Sequence, residues 1–262
     1  MSAATHTMRD SSTMLRRKFK HMLRYPSMTL QLAAIPIIFL LLFVYVFGGT
    51  LGDGLGGFSG GRSEYVNYVT PGVILLAVAA TATATAVSVA TDMTEGIIAR
   101  FRTMAIFRPS ILTGHVIGSV LQALISLAIV IGAALLIGFR PTAGVVEWFA
   151  AAGLLTLLAL AITWLAVGLG MVADSAETAS NLPTPLILLP FLGSGFVPTE
   201  SMPGWLKSFA DHQPFTPVIE TLRGLLFDAP IGNNAWIAVA WCVGITLVCF
   251  VWATRTFNRK TL

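Results

Sequence analysis

The chain has 262 residues, 55% of them hydrophobic and 11% charged, with a net charge of +4 and a mean hydropathy of +0.80. Soluble domains carry about 25% charged residues, so a water-soluble enzyme is excluded. The basic balance does not make a nucleic-acid binder either, because the 16 basic and 12 acidic residues leave six charge-free windows, at 25–52, 65–91, 109–139, 148–173, 178–199 and 229–254. Each window can supply the ~20 apolar residues that cross a ~30 Å hydrocarbon core as a helix.

Residues 11–25 place Met14, Leu15, Phe19, Met22 and Leu23 near helical spacing, with basic residues between them. This pattern predicts an interface helix on anionic headgroups, ended by Pro26; the alternative is a solvated basic tail. The first window lacks a short apolar run followed by an Ala-x-Ala triplet, so it is expected to be a retained span over about 29–49 rather than a cleaved signal. The glycine-rich stretch that follows has neither a preceding strand nor a Lys-Ser/Thr, and is expected to be a linker rather than a phosphate cradle.

The second span, 67–91, repeats Thr81, Thr85 and Ser88 at i, i+4 and i+7. Such hydroxyls serve either close helix packing or a substrate pathway. Gln122, deep in the third span (111–138), is a weak pathway candidate beside them. Between these spans lies TDMTEGIIARFRTMAIFRPSILTGH, where Ile97, Ile98, Phe101 and Met104 form a short stripe beside Arg100 and Arg102. The stripe either rests on the membrane or docks in a groove of a cytoplasmic partner. A fourth span covers 148–172. A fifth, 180–198, is expected to be bent or broken by Pro183, Pro185, Pro190, Gly193 and Gly195. Residues 199–233 are too long for a plain connection, and their patterning predicts two short outer re-entrant helices. The sixth span is 234–254; Cys242 and Cys249 lie seven apart on it, too far for a disulfide, and are expected to be packing thiols.

Twelve of the 16 Lys and Arg lie before residue 25, in the second connection or after residue 254, with Arg62, Arg140, Lys207 and Arg223 on the other side. The positive-inside rule then puts both termini in the cytoplasm of a multi-pass cell-membrane protein. No P-loop is present, the four histidines form no metalloprotease pair, and Ser194 in Gly-Ser-Gly has no base nearby. No acidic or basic group lies at a span centre to bind a coupling ion. The energy source is expected outside this chain, which is not itself an enzyme and holds no metal or cofactor.

Three stretches in order carry a resemblance. They are Tyr68-Val69-Thr70-Pro71-Gly72, then Asp92-Met93-Thr94-Glu95-Gly96-Ile97-Ile98 with Arg100-Phe101-Arg102 and Gly114, then Gly195-Phe196-Val197-Pro198-Thr199-Glu200-Ser201-Met202-Pro203-Gly204-Trp205-Leu206, running on to Pro214 and Glu220-Thr221-Leu222-Arg223-Gly224-Leu225. Over nearly its whole length the chain resembles the permease subunits of type-2 ATP-binding-cassette exporters, in the daunorubicin/doxorubicin resistance branch. It departs from the pattern at Ala105, where a proline is usual, and at Gln213-Pro214, where asparagine-proline is usual.

The resemblance implies an all-α membrane protein: one permease domain over 1–262 with six transmembrane helices, the interface helix, and a coupling helix at 92–108. It assigns ATPase coupling to Asp92, Glu95, Gly96, Arg100, Phe101 and Arg102, with Gly96 permitting a tight turn; the plainer alternative is that Glu95 and Arg102 only solvate a membrane turn. Glu220 and Arg223, three apart, are expected to pair locally rather than bind substrate. Two P-loop ATPase subunits binding ATP and magnesium, and a second permease chain in a homodimer or close heterodimer, are the implied partners, together with membrane lipids. The substrate is expected to be a hydrophobic or amphipathic drug or lipid-like molecule leaving the cytoplasm. A polysaccharide ranks lower, because only Trp164 lies deep in a span. The competing class is a non-transporting sensor or scaffold for an ATPase.

Overall fold

The computed structural model describes residues 26–49, 61–94 and 109–260, and among the described residues every regular element is helical. The interface helix expected at 11–25, residues 50–60 of the glycine-rich stretch and most of the expected coupling helix, 95–108, lie outside the described residues, while residues 61–64, expected as linker, are the first turn of a helix. Helix α1 (Pro26–Leu41) runs on as a π-helix over Leu42–Phe47. It is followed by α2 (Gly61–Thr94), α3 (Pro109–Ile137), α4 (Val145–Val172), α5 (Ala176–Asn181) and α6 (Thr184–Leu188). A 3₁₀ turn (Thr199–Ser201), α7 (Gly204–His212), α8 (Phe215–Phe227) and α9 (Asn234–Lys260) complete the order.

Five helices are long and apolar enough to cross a membrane: Leu30–Phe47, Ser63–Thr94, Gly114–Ile137, Val145–Val172 and Asn234–Arg259. They match five of the six expected spans, α2 starting earlier than 67. The remaining window, 180–198, is no continuous helix. Pro183 ends α5, Pro185 opens α6, and turns run from Leu189 to Val197. Each proline removes a backbone donor and crowds the preceding turn, so the sequence that predicts a break also locates it.

Helices α2 and α4 form the centre, with 72% and 67% of their span residues buried against 22% for α1 and α9. Helix α4 packs most extensively on α9 and α2. Small residues permit this: a Cβ on Gly170 would collide with the backbone oxygen of Ala86 on α2, and one on Gly168 would meet Cε3 of Trp252 on α9 at 2.5 Å. Where apolar lipid provides no hydrophobic drive between helices, such close approach supplies the packing energy. Several threonine hydroxyls donate to their own helix, as where Thr70 Oγ1 donates to Val66 O at 2.6 Å and Thr246 Oγ1 to Cys242 O at 2.7 Å. Cys242 and Cys249 are buried free thiols, as expected.

The two ends of the bundle differ. At one, the start of α2 meets the α3–α4 connection, where Asn67 Oδ1 accepts the Arg140 N–H at 3.0 Å, and the end of α8, where Thr142 N donates to Leu226 O at 3.0 Å. Trp205 and Trp236, on α7 and at the start of α9, are exposed near this end, where an aromatic belt would sit. At the other end Val89, Val116, Trp164, Val167, Met171, Cys249, Ala253 and Phe257 form a separate apolar cluster.

Replacing Gly170 with Ala should overpack the α2–α4 crossing and destabilise the protein by about 1–3 kcal/mol. Gly153→Ala, at a position with nothing within 4 Å of the added carbon, should be silent. Thermal unfolding of the detergent-purified variants compares the two.

Candidate functional site at the broken fifth segment

A broken helix in an apolar environment leaves carbonyls that neither water nor its own backbone satisfies. In the broken segment two carbonyls receive side-chain donors from elsewhere in the chain: Ser194 O, and Leu189 O, which also accepts the Leu192 N–H at 3.1 Å. Gln213 Nε2, in a side chain only 4% exposed between α7 and α8, donates to Leu189 O at 3.0 Å. Ser194 O accepts twice, from Tyr68 Oη at 3.2 Å and from Arg223 Nη2 at 3.0 Å. The guanidinium also donates to Tyr68 O at 3.3 Å, lies 4.0 Å from the centre of the Tyr68 ring and pairs with Glu220 Oε1 at 2.7 Å. Arg223 therefore ties three separate elements together: α2, the broken segment and α8.

Backbone packing reinforces the tie. A Cβ on Gly72 would lie 2.5 Å from Gly195 O, and one on Gly193 would collide with Gln213 Nε2. The apolar part of α2, Ser63–Thr94, is about 48 Å long at 1.5 Å per residue, longer than the ~30 Å hydrocarbon core. Centred on such a core, the helix would put Tyr68 near its boundary and Gly72 inside it. On its other side the broken segment meets α1 through phenylalanines: Phe196 stacks on Phe191 at 4.4 Å and on Phe43 at 4.6 Å, and Phe39 meets Phe191 edge-on at 5.3 Å. The π-helix lies beside this contact, a form of helix that recurs at functional sites.

The expected local Glu220–Arg223 pair is present, but it is one contact of a larger knot. Tyr68, Ser194 and Gln213 enter as members of it through their contacts rather than through sequence spacing. Ser194 matters through its carbonyl; its Oγ is buried without a partner, as are Gln213 Oε1 and Arg223 Nε. The signal available in sequence was the break itself: three prolines and two glycines interrupt the helix, and non-helical backbone in an apolar medium needs donors from other segments.

Of the residues expected to couple to an ATPase, Asp92 lies near the described end of α2, its Oδ2 2.8 Å from His115 Nε2 on α3. Glu95, Gly96, Arg100, Phe101 and Arg102 lie outside the described residues. Among the pathway candidates, Thr81 and Thr85 are buried and donate to their own helix, at Val78 O (2.7 Å) and Thr81 O (3.0 Å). Ser88 and Gln122 are half-buried.

Five apolar spans around a proline-broken segment held by side-chain donors describe a multi-pass membrane protein with a built discontinuity, and the ABC-2 type transporter family model matches residues 10–227. The chain belongs to that family of membrane permeases. It is similar to the daunorubicin resistance ABC transporter permease protein DrrB1 of Streptomyces coeruleorubidus, with 32% identity over 246 residues, 93% of this chain and 80% of that protein. The probable doxorubicin resistance ABC transporter permease protein DrrC of Mycobacterium tuberculosis is 24% identical over 193 residues, 74% of this chain and 70% of that protein.

Arg223→Ala should leave Ser194 O with Tyr68 alone and cost about 2–3 kcal/mol. Arg223→Lys, which cannot span two carbonyls and a carboxylate with a planar fork, should fall between. Unfolding temperatures of the purified variants give the order.

Proposed function

We propose that this chain is the membrane half of an ATP-driven exporter that moves a hydrophobic or amphipathic compound, of the drug type named in its relatives, out of the cytoplasm. The observation that carries this reading is the broken fifth segment. A stretch of non-helical backbone beside α2 is tolerated at membrane depth only where protein buries it or a pathway adjoins it, and here side-chain donors from α2, from α8 and from Gln213 between α7 and α8 reach its carbonyls at Leu189 and Ser194. The surfaces around it, aromatic toward α1 and hydrogen-bonding toward α8, suit a ligand with both characters.

In this reading the broken segment is the fifth of six spans in one permease domain, and α7 and α8 are re-entrant helices in the outer leaflet. The Tyr68 end is extracellular and both termini are cytoplasmic; the basic residues concentrated toward the opposite end support that orientation. Power comes from two P-loop ATPase subunits that bind ATP and magnesium and engage residues 92–108, with Glu95, Arg100 and Arg102 as polar contacts and the interface helix as a second contact. Two permease chains, in a homodimer or close heterodimer, enclose the route.

Vesicles containing this chain and its ATPase should accumulate doxorubicin only when ATP and the ATPase are both present, and Glu95→Ala or Arg102→Ala should weaken ATPase capture or uncouple hydrolysis from transport. Doxorubicin movement without the ATPase would instead indicate a self-powered carrier, and normal capture and coupling in both variants would remove residues 92–108 from the coupling role.

A further inference from the structure

At the end of the bundle opposite Arg223, one polar contact joins two spans at the point where the chain leaves one and enters the next. The last turn of α2 carries Asp92, two residues before the helix ends at Thr94; α3 carries His115, in its second turn from Pro109. His115 Nε2 donates to Asp92 Oδ2 at 2.8 Å, with the two side chains 19% and 28% exposed. In sequence, residues 95–108 lie between these two helices.

The pair is not explained by either helix alone. No basic residue stands in the described turn of α2 around Asp92. Asp92 is compensated across the gap, from α3. Beneath the pair the same two helices are joined by apolar packing: Val89 of α2 and Val116 of α3 belong to one buried cluster with Val167 and Met171 of α4 and with Phe257 of α9, and Met93 packs against it. Val116 follows His115 directly, so the polar contact caps a packed base that extends into the two most buried elements of that end.

We propose that His115 is a positioning residue for energy coupling. By holding Asp92 it fixes the separation of the two helix ends that present residues 95–108, so that force applied to that segment moves α2 and α3 together instead of splaying them. Helix α2 is the same helix whose far end holds the broken segment through Tyr68 and Gly72, so a displacement delivered to it reaches that segment through one rigid element. This inference rests on the proposed function, since it needs an ATPase acting on residues 95–108.

The test uses the full complex, with the ATPase captured on tagged permease and the rise in ATP hydrolysis over the ATPase subunit alone as the coupling readout. H115A, which leaves residues 92–108 intact, should capture the ATPase as the unaltered chain does, yet keep only about a fifth to a tenth of that rise. The double variant D92A/H115A should be no worse than D92A alone, as for two residues acting as one contact, and H115K, which supplies an N–H donor to the Asp92 carboxylate, should recover most of the loss of H115A. Unchanged stimulation in H115A, equal defects in H115K and H115A, or losses that multiply in the double variant would each overturn the proposal. Where H115A is not recovered from membranes, D92H/H115D rebuilds the pair with its partners exchanged: restored stimulation supports the brace and absent stimulation overturns it. An unaltered chain that captures no ATPase would overturn the proposed function itself, and is told apart by the capture step.

Discussion

The structure depends on one constraint: a backbone carbonyl that leaves its helix inside an apolar medium must find another donor. Three prolines and two glycines make the fifth apolar segment unable to satisfy itself, and the protein supplies Arg223, Tyr68 and Gln213 from distant parts of the chain. The arrangement gives each of these residues a structural reason for its type. A planar fork reaches two carbonyls and a carboxylate at once, a phenol adds a donor and a face for the cation, and a primary amide fits beside a glycine that leaves room for it. Hydrogen bonds from a charged donor are worth about 1.5–3 kcal/mol each, enough to hold a discontinuity that isolated helix packing would not.

The same constraint explains the division of labour among the spans. Helices α2 and α4 are small-residue helices buried on most sides, and they act as the frame. The broken segment leans on that frame at Gly72, while α1 meets it through stacked phenyl rings along a π-helix that widens the turn there. Rigid and interrupted elements thus lie side by side, as expected for a membrane protein in which one part must hold shape while another offers a path. Because α2 runs through the whole bundle, it touches the broken segment near one end and makes the Asp92–His115 contact with α3 near the other.

Much of this was legible in the residues. Five of the six charge-free windows became helices long enough to span, the proline- and glycine-rich window became the interrupted one, and the patterned connection after it became two helices, α7 and α8. The Glu220–Arg223 pair followed from helical spacing alone. What was not legible was where these parts meet. Gln213 read only as a departure from a family pattern, although its amide closes a carbonyl of the broken segment, and Ser194 was weighed as a nucleophile, although it acts through its main chain. His115 stood among four scattered histidines until the structure set it against Asp92.

The division has a physical cause. Hydropathy, charge placement and backbone-breaking residues act locally or through the membrane as a solvent, so the sequence by itself determined the apolar helices and the position of the break. Which side chain answers a freed carbonyl, and which helix end braces another, depends on contacts between residues as far apart as Tyr68 and Ser194 or Tyr68 and Arg223. Those pairings are chosen by how the helices cross, at glycines that admit a neighbour's backbone, and only the tertiary structure decided them.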